Sequence, residues 1–144
     1  MKLPEPFVYF VDRSLGRGIV VETLRAASQV VHAHDDHFAQ NTLDTEWLTE
    51  IGRRGWVVLT KDKNIRSNQL ELRALLQANV ACVMLGRGNH TAEEMGKLFA
   101  DHLRSIERAL RRFHLPLVAT LSTGGGLRVL LADGSWLDPP KQIK

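Results

Sequence analysis

The strongest constraint on the fold is a regular alternation of short apolar runs with longer amphipathic segments. Four runs are short and mostly apolar, which is typical of buried strands, and we assign them to residues 7–11, 30–33, 57–60 and 81–85. The segments between them, 19–27, 43–54 and 69–77, carry apolar residues three and four positions apart, as amphipathic helices do. This order predicts a three-layer α/β/α fold in which helices cover both faces of a mostly parallel sheet.

The rest of the chain predicts one long helix followed by a β-hairpin. Thr91 and Glu94 have the spacing of a capping box, so a helix is expected to begin there and to end near Pro116. Residues 117–121 and 127–131 flank a glycine-rich turn and are expected to pair as a hairpin. The tail is expected to be frayed or to form a small extension. We therefore expect a core over residues 1–116, with the hairpin and tail of residues 117–144 packed on the same single domain.

Composition limits the possible classes of protein. A chain of 144 residues with 44% hydrophobic residues can bury one complete core. No stretch approaches the roughly 20 apolar residues that a membrane helix needs, and we expect a cytoplasmic protein. The single cysteine, Cys82, lies in an apolar run, where a buried structural thiol is expected. A net charge of +3 permits binding to nucleic acid without demanding it.

Two apolar runs end in the same way, with an aspartate. Asp12 closes the first run and Asp62 follows the third. If these strands are neighbours in a parallel sheet, both carboxylates emerge at the carboxyl edge, where open α/β sheets bind ligands. Carboxylates brought together repel each other, and a divalent cation relieves the repulsion. Each aspartate also has a structural explanation, because it can cap a helix or shape a turn.

A third acidic position opens the second helix. Asp44 and Glu46 lie in its first turn, where the helix dipole alone favours carboxylates by roughly 0.3 to 1 kcal/mol. This helix is expected to start at the carboxyl edge of the sheet, so Asp44 could point into the same cleft as Asp12 and Asp62.

Basic residues lie close to these acids. Arg13 follows Asp12, and Asp62 is surrounded by Lys61, Lys63 and Arg66. They could neutralise the carboxylates or bind the phosphates of a metal-bound substrate. A further set lies on the polar side of the long helix, where a solvated face or an electrostatic track for RNA or an acidic partner is possible: Lys97, Arg104, Arg108, Arg111 and Arg112.

Histidines around the second strand suggest a metal site at first sight. His32 and His34 share one side of the strand by the alternation of side chains, whereas His37 lies beyond an acidic pair and need not converge with them. We therefore do not expect a transition-metal site here.

The order and spacing of three segments resemble the PIN-like ribonuclease superfamily, and most closely the compact group that includes toxins of toxin–antitoxin pairs. These segments are residues 10–16, the acidic helix start at 44–48, and the strand end at 58–62. The resemblance covers roughly residues 7 to 113. It implies an endoribonuclease with Mg²⁺ or Mn²⁺ bound to Asp12, Asp44 and Asp62, with Glu46 as a further ligand candidate.

The same resemblance implies roles for the neighbouring cations and for partners. Lys61 and Arg13 are expected to orient the scissile phosphate, with Lys63 and Arg66 as further RNA-binding candidates. The implied partners are an RNA substrate and a cognate antitoxin, and a homodimer is possible. One departure stands out: many PIN domains have another acidic residue shortly after the position of Asp62, whereas residues 63–68 contain none. Asn64 or Asn68 could replace it weakly through water.

Two interpretations other than a nuclease are compatible with parts of this sequence. A non-catalytic PIN-like module that binds RNA or protein through the basic helix is compatible with the missing acid. A phosphorelay receiver also has acids at strand ends, but it needs paired acids after the first strand and a lysine after the fifth. Here Arg13 follows Asp12, and Ser122 follows the strand at 117–121.

Overall fold

The computed structural model describes residues 2–62, 64–124 and 126–143. Seven strands form one sheet in the order β2-β1-β3-β4-β5-β6-β7. The strands are β1 (Val8–Val11), β2 (Val30–Ala33), β3 (Val57–Lys61), β4 (Ala81–Leu85), β5 (Leu117–Leu121), β6 (Leu127–Ala132) and β7 (Ser135–Ile143). The α-helices are α1 (Ile19–Ala26), α2 (Asp44–Arg54), α3 (Gln69–Ala78), α4 (Ala92–Asp101) and α5 (Leu103–Arg112).

The first five strands run parallel, and the last two add an antiparallel edge. β1 pairs with β2 on one side and with β3 on the other, and β4 and β5 follow. β5 pairs antiparallel with β6, and β6 with β7. The predicted α/β fold with a mostly parallel sheet and a C-terminal hairpin is therefore confirmed.

The alternation of side chains along each strand divides the core into two layers. One layer joins Tyr9, Leu59 and Val83 to α1, α4 and α5. The other joins Phe10, Val58 and Met84 to α2 and α3. Since parallel strands covered on both faces bury both sets of side chains, the strands are apolar throughout. Helices α2 and α3 therefore share one face of the sheet, and each begins at its carboxyl edge.

The predicted long helix is wrong in one respect, because it is two helices divided at His102. α4 ends at Asp101 and α5 begins at Leu103, while His102 has φ −113° and ψ 14°. The His102 ring Nδ1 lies 2.8 Å from the carbonyl oxygen of Leu98. The capping box predicted at Thr91 and Glu94 is present. The apolar pattern continues across the break, since both helices pack on the same face of the sheet.

The tail predicted as frayed or a small extension is instead most of an edge strand. β7 pairs with β6 at both ends, from Ser135 opposite Ala132 to Ile143 opposite Leu127, with a shift of register between Val129 and Leu131 of β6. Its prolines, Pro139 and Pro140, are compatible with this position because proline is tolerated in edge strands. The hairpin and tail thus extend the main sheet. The assignment of residues 1–116 and 117–144 to a single domain stays a prediction.

Within the described part of the chain, no helix is both long and apolar enough to cross a membrane.

Candidate active site

Asp12 lies at the carboxyl end of β1 and is almost fully buried, with 5% of its surface exposed. Its backbone N–H donates to the carbonyl oxygen of Leu59 on β3 at 3.0 Å. Its Oδ1 accepts a hydrogen bond from the backbone N–H of Arg13 at 2.8 Å and so caps the 3₁₀ turn Arg13–Leu15. The capping role that explains a strand-end aspartate is therefore real, but it uses only one carboxylate oxygen.

The second oxygen of Asp12 is held by two hydroxyl groups. Ser14 Oγ lies 2.9 Å from Asp12 Oδ2, and Thr60 Oγ1 donates to the same oxygen at 2.7 Å. The two hydroxyl oxygens are themselves 3.0 Å apart, and Ser14 Oγ accepts from the backbone N–H of Lys61 at 3.1 Å. This network fixes the carboxylate plane between β1 and β3. Sequence analysis missed both hydroxyl residues, although Thr60 lies two positions before Asp62.

Asp62 lies at the carboxyl end of β3 and is half-buried. Its backbone N–H continues the ladder by donating to the carbonyl oxygen of Leu85 at 2.8 Å. Its Oδ1 accepts from the backbone N–H groups of Asn64 and Ile65, at 2.8 and 3.3 Å. Asp62 therefore also shapes a turn. Among the described residues, no hydrogen bond involves its Oδ2.

The strand register brings Asp12 and Thr60 side by side. Val11 pairs with Leu59, so the next residues of β1 and β3 are Asp12 and Thr60. Thr60 continues the alternation that places Val58 on the face covered by α2 and α3. Asp62 follows two positions later and therefore continues the same side of β3. Asp12 and Asp62 thus end adjacent parallel strands, as predicted.

Asp44 is the first residue of α2 and is half-buried. Its Oδ1 accepts a hydrogen bond from the indole Nε1–H of Trp47 at 2.9 Å. Since α2 connects β2 to β3, which are parallel, its N-terminus lies at the same edge as the ends of β1 and β3. Glu46 is exposed, and no hydrogen bond or ion pair involves it among the described residues.

A fourth acidic residue at this edge was missed by sequence analysis. Glu71 is the third residue of α3, and its backbone N–H donates to the capping side chain of Asn68 at 3.1 Å. It lines a cleft of about 480 Å³ together with Asp44 and Asn68. It also lines a small cavity with Thr60. A sequence signal for this position exists, because an asparagine followed three residues later by glutamate is typical of a capped helix start.

The donor chemistry of this edge suits a hard divalent cation. Asp12, Asp44, Asp62 and Glu71 offer carboxylate oxygens, which are the ligands that Mg²⁺ and Mn²⁺ prefer. Among the residues that the structure describes, however, no group of three or more histidine, cysteine or acidic side chains is arranged to hold a metal ion. Convergence of Asp12, Asp44 and Asp62 on one metal therefore stays a prediction, as does a ligand role for Glu46.

The predicted RNA-binding cations lie in different directions. Arg13 Nη1 donates to the carbonyl oxygen of Gln40 at 2.9 Å, and its Nε lies 3.4 Å from Asp35 Oδ1. The Arg66 guanidinium lies 5.1 Å from the ring centroid of Trp136 on β7. Lys61 ends β3 and is half-buried. Lys63 lies outside the described residues.

The histidines around β2 form a packed aromatic group. His32 stacks on Trp56 with ring centroids 4.1 Å apart, and burial together with the nearby His37 lowers the pKa of His32. The nitrogens His37 Nε2 and His32 Nδ1 lie 3.0 Å apart, so His37 does meet His32, which was not expected. His34 is buried and lies 3.0 Å from Asp35 Oδ1. These contacts explain the histidines through packing and hydrogen bonding.

Comparisons with known proteins identify the family of this chain. A family described as "PIN like domain" matches residues 7–87, which is more than half of the chain. The chain therefore belongs to the PIN-like domain family. It is 33% identical over 125 residues to a protein of Mycobacterium tuberculosis (strain ATCC 25618 / H37Rv) named "Putative ribonuclease VapC45". That alignment covers 84% of this chain and 90% of the relative. No solved structure matches significantly.

Proposed function

We propose that this chain is a metal-dependent endoribonuclease that hydrolyses RNA phosphodiester bonds and acts as the toxin of a toxin–antitoxin pair. The observation that carries the proposal is the buried carboxylate of Asp12, which Ser14 and Thr60 hold at the carboxyl end of β1. Burying a carboxylate is costly, and the hydroxyl donors offset that cost while they fix its orientation. Membership of the PIN-like family and a relative named as a ribonuclease support this reading.

The acidic residues of this edge have separate roles in the proposal. Asp12, Asp44 and Asp62 would hold Mg²⁺ or Mn²⁺, with Glu71 as an additional acid from α3. Glu46 is a weaker candidate, because it is exposed. A bound divalent ion supplies an activated water and offsets the charge that develops at phosphorus. Ser14 and Thr60 position Asp12 through their hydrogen bonds.

The basic residues near these acids also have different roles. Arg13 is tethered to Gln40 and Asp35, so we assign substrate phosphates first to Lys61 and Arg66. Lys63 is a further candidate. Guanidinium and ammonium groups near an acidic site counter the repulsion between carboxylates and a polyanionic substrate.

An antitoxin would cover the cleft beside these acids. Leu43 and Leu70 are among the most exposed large apolar residues, at 63% and 79%, and both line the cleft with Asp44 and Glu71. Exposed apolar side chains around a functional cleft are typical of a protein interface. Such a partner would shield the site until it is released, and action on cellular RNA would place the protein in the cytoplasm.

The test is cleavage of RNA in the presence of added Mg²⁺ or Mn²⁺, compared across four proteins. Wild type should cleave and lose activity in EDTA. Asp12→Asn and Asp62→Asn should each lower the cleavage rate by at least ~100-fold. Asp101→Asn is the control and should keep the wild-type rate, because Asp101 lies on α4 at the opposite face of the sheet. Equal rates in all four proteins would refute the site. RNA binding without cleavage in either metal would instead support the non-catalytic module.

A further inference from the structure

A second groove lies between α3 and the edge strand β7. Its volume is about 510 Å³, and it is lined by Arg66, Gln69, Leu72, Arg73, Leu76 and Trp136. We propose that this groove binds single-stranded RNA, with a base stacked on Trp136 and a phosphate held by Arg73. The inference rests on the proposed function, because it extends the path of the RNA beyond the acidic edge.

Trp136 is placed as a stacking platform by the register of the hairpin. It lies opposite Leu131 on β6, and Leu131 packs in the core layer of α2 and α3. The indole therefore belongs to the same face of the sheet as α3, yet 42% of its surface is exposed. Unstacked bases are recognised by aromatic side chains of this kind, since every base has a π-face.

The other two tryptophans differ from Trp136 in a way that supports this assignment. Trp47 is 3% exposed and packs against Phe10, and Trp56 is stacked on His32. Trp136 has no aromatic neighbour among the described residues, and its ring contact is the guanidinium of Arg66. A cation beside an exposed indole strengthens stacking of a base and attracts the attached phosphate.

The charge of the groove matches a polyanion. Among the described residues that line the groove, two are arginines and none is acidic. Arg73 is exposed on α3 and makes no hydrogen bond or ion pair within the described parts of the chain. By contrast, Arg53 and Arg111 are engaged by Glu50 and Glu5. An arginine that is available to solvent beside an exposed aromatic ring favours nucleic acid over an acidic or apolar protein segment.

The groove is close to the acidic edge along the chain, because Arg66, which lines the groove, follows Asp62 by four residues. Asp62 Oδ1 accepts from the backbone N–H groups of Asn64 and Ile65, and Arg66 is the next residue. Four residues span at most ~14 Å, so the groove opens within reach of a few nucleotides of the proposed cleavage position. Arg66 lines the groove, and Asn68, two residues later, lines the cleft beside Asp44 and Glu71. RNA bound at the acids can therefore continue over the start of α3 toward Trp136.

The test measures binding rather than cleavage, so it does not depend on catalysis. Fluorescently labelled single-stranded RNA of about ten nucleotides is titrated with the full chain in EDTA, and anisotropy gives the Kd. Trp136→Ala should weaken binding by at least ~5-fold, while Trp136→Phe should retain most of it because the phenyl ring still stacks. Arg73→Glu should also weaken binding. Arg104→Glu is the matched control, since Arg104 is exposed on α5 at the other face of the sheet.

A second measurement keeps the inference testable if a β7 variant fails to fold. In the wild-type protein, the indole N–H resonance of Trp136 should shift on addition of the RNA, whereas that of Trp56, which stacks on His32 just before β3, should not. Unchanged binding in Trp136→Ala and Arg73→Glu, or equal losses in Arg73→Glu and Arg104→Glu, would overturn the proposal. Loss of antitoxin binding in Trp136→Ala with unchanged RNA affinity would also overturn it and assign the groove to a protein partner. RNA binding in the groove without cleavage would contradict only the proposed enzyme.

Discussion

Replacement of Thr60 by valine is the most direct structural perturbation of the Asp12 network. The side chains are nearly isosteric, so Thr60→Val removes one hydroxyl and leaves the packing volume of β3 almost unchanged. Thr60 is 7% exposed, and its Oγ1 donates to Asp12 Oδ2 at 2.7 Å. The substitution therefore removes a buried, charge-assisted hydrogen bond from a carboxylate that is 5% exposed.

The expected cost follows from the strength of such bonds. A hydrogen bond to a charged group contributes ~1.5 to 3 kcal/mol, and a neutral one about 0.5 to 1.5 kcal/mol. Thr60→Val should therefore lower the free energy of unfolding by ~1.5 to 3 kcal/mol, which corresponds to a fall of roughly 3 to 12 °C in Tm. In an Asp12→Asn background, Thr60→Val should cost about 1 kcal/mol less, because the acceptor there is neutral.

The assay is urea unfolding at neutral pH, with Thr120→Val as a control. Thr120 lies on β5, in the same sheet, and its hydroxyl makes no hydrogen bond with a described residue. Its replacement should change the free energy of unfolding by less than about 0.5 kcal/mol. The reasoning is refuted if Thr60→Val is as mild as Thr120→Val, or if its cost is the same with Asp12 and with Asn at that position.

Three further outcomes test other parts of the structure. A Cβ at Gly52 would collide with the carbonyl oxygen of Ala78, so Gly52→Ala should separate α2 from α3. The substitution should lower the free energy of unfolding in urea by ~1 to 3 kcal/mol, although alanine has the better helix propensity. Unchanged stability would contradict the close approach of the two helices. Thr91→Ala removes the cap of α4 and should cost about 1 kcal/mol, whereas Thr91→Ser should cost much less. The pKa of His32 is lowered from 6.5, so the unfolded chain binds more protons just below that value, and stability should fall as the pH drops from about 7 to 5. His32→Gln should reduce that dependence, and an equal pH dependence in both proteins would show that His32 is not its source.

The sequence predicted those parts of the fold that depend on local patterns. β2 and β4 have the predicted bounds, Val30–Ala33 and Ala81–Leu85, because compact apolar runs with polar or turn-forming flanks leave few alternatives. The family resemblance is confirmed by the match over residues 7–87. The break at His102 could not be predicted, since neither proline nor glycine marks it and the apolar pattern continues beyond it. The strand at the tail could not be predicted, because its prolines are tolerated only at the edge of a sheet and local sequence does not show which strand lies there.

In the candidate site, too, residues marked by a local sequence pattern could be predicted, whereas contacts between residues far apart in the sequence could not. Asp12 and Asp62 were found because each ends an apolar run, and adjacent strands then carry them to one edge. The hydrogen bond between Thr60 and Asp12 joins residues 48 positions apart, so no local pattern reveals it. Glu71 has an ordinary place in the first turn of a helix, and only the shared cleft connects it with Asp44.

The central claim is that the acids at the carboxyl edge of the sheet bind a divalent metal used in RNA cleavage. Its most direct test is a crystal soaked in Mn²⁺, with anomalous difference density measured for wild type and Asp12→Asn. We expect a peak coordinated by Asp12 and by Asp44 or Asp62 in the wild-type crystal, and a loss of that peak in the variant. A wild-type crystal with no Mn²⁺ at this edge, from protein that cleaves RNA in the same buffer, would contradict the account.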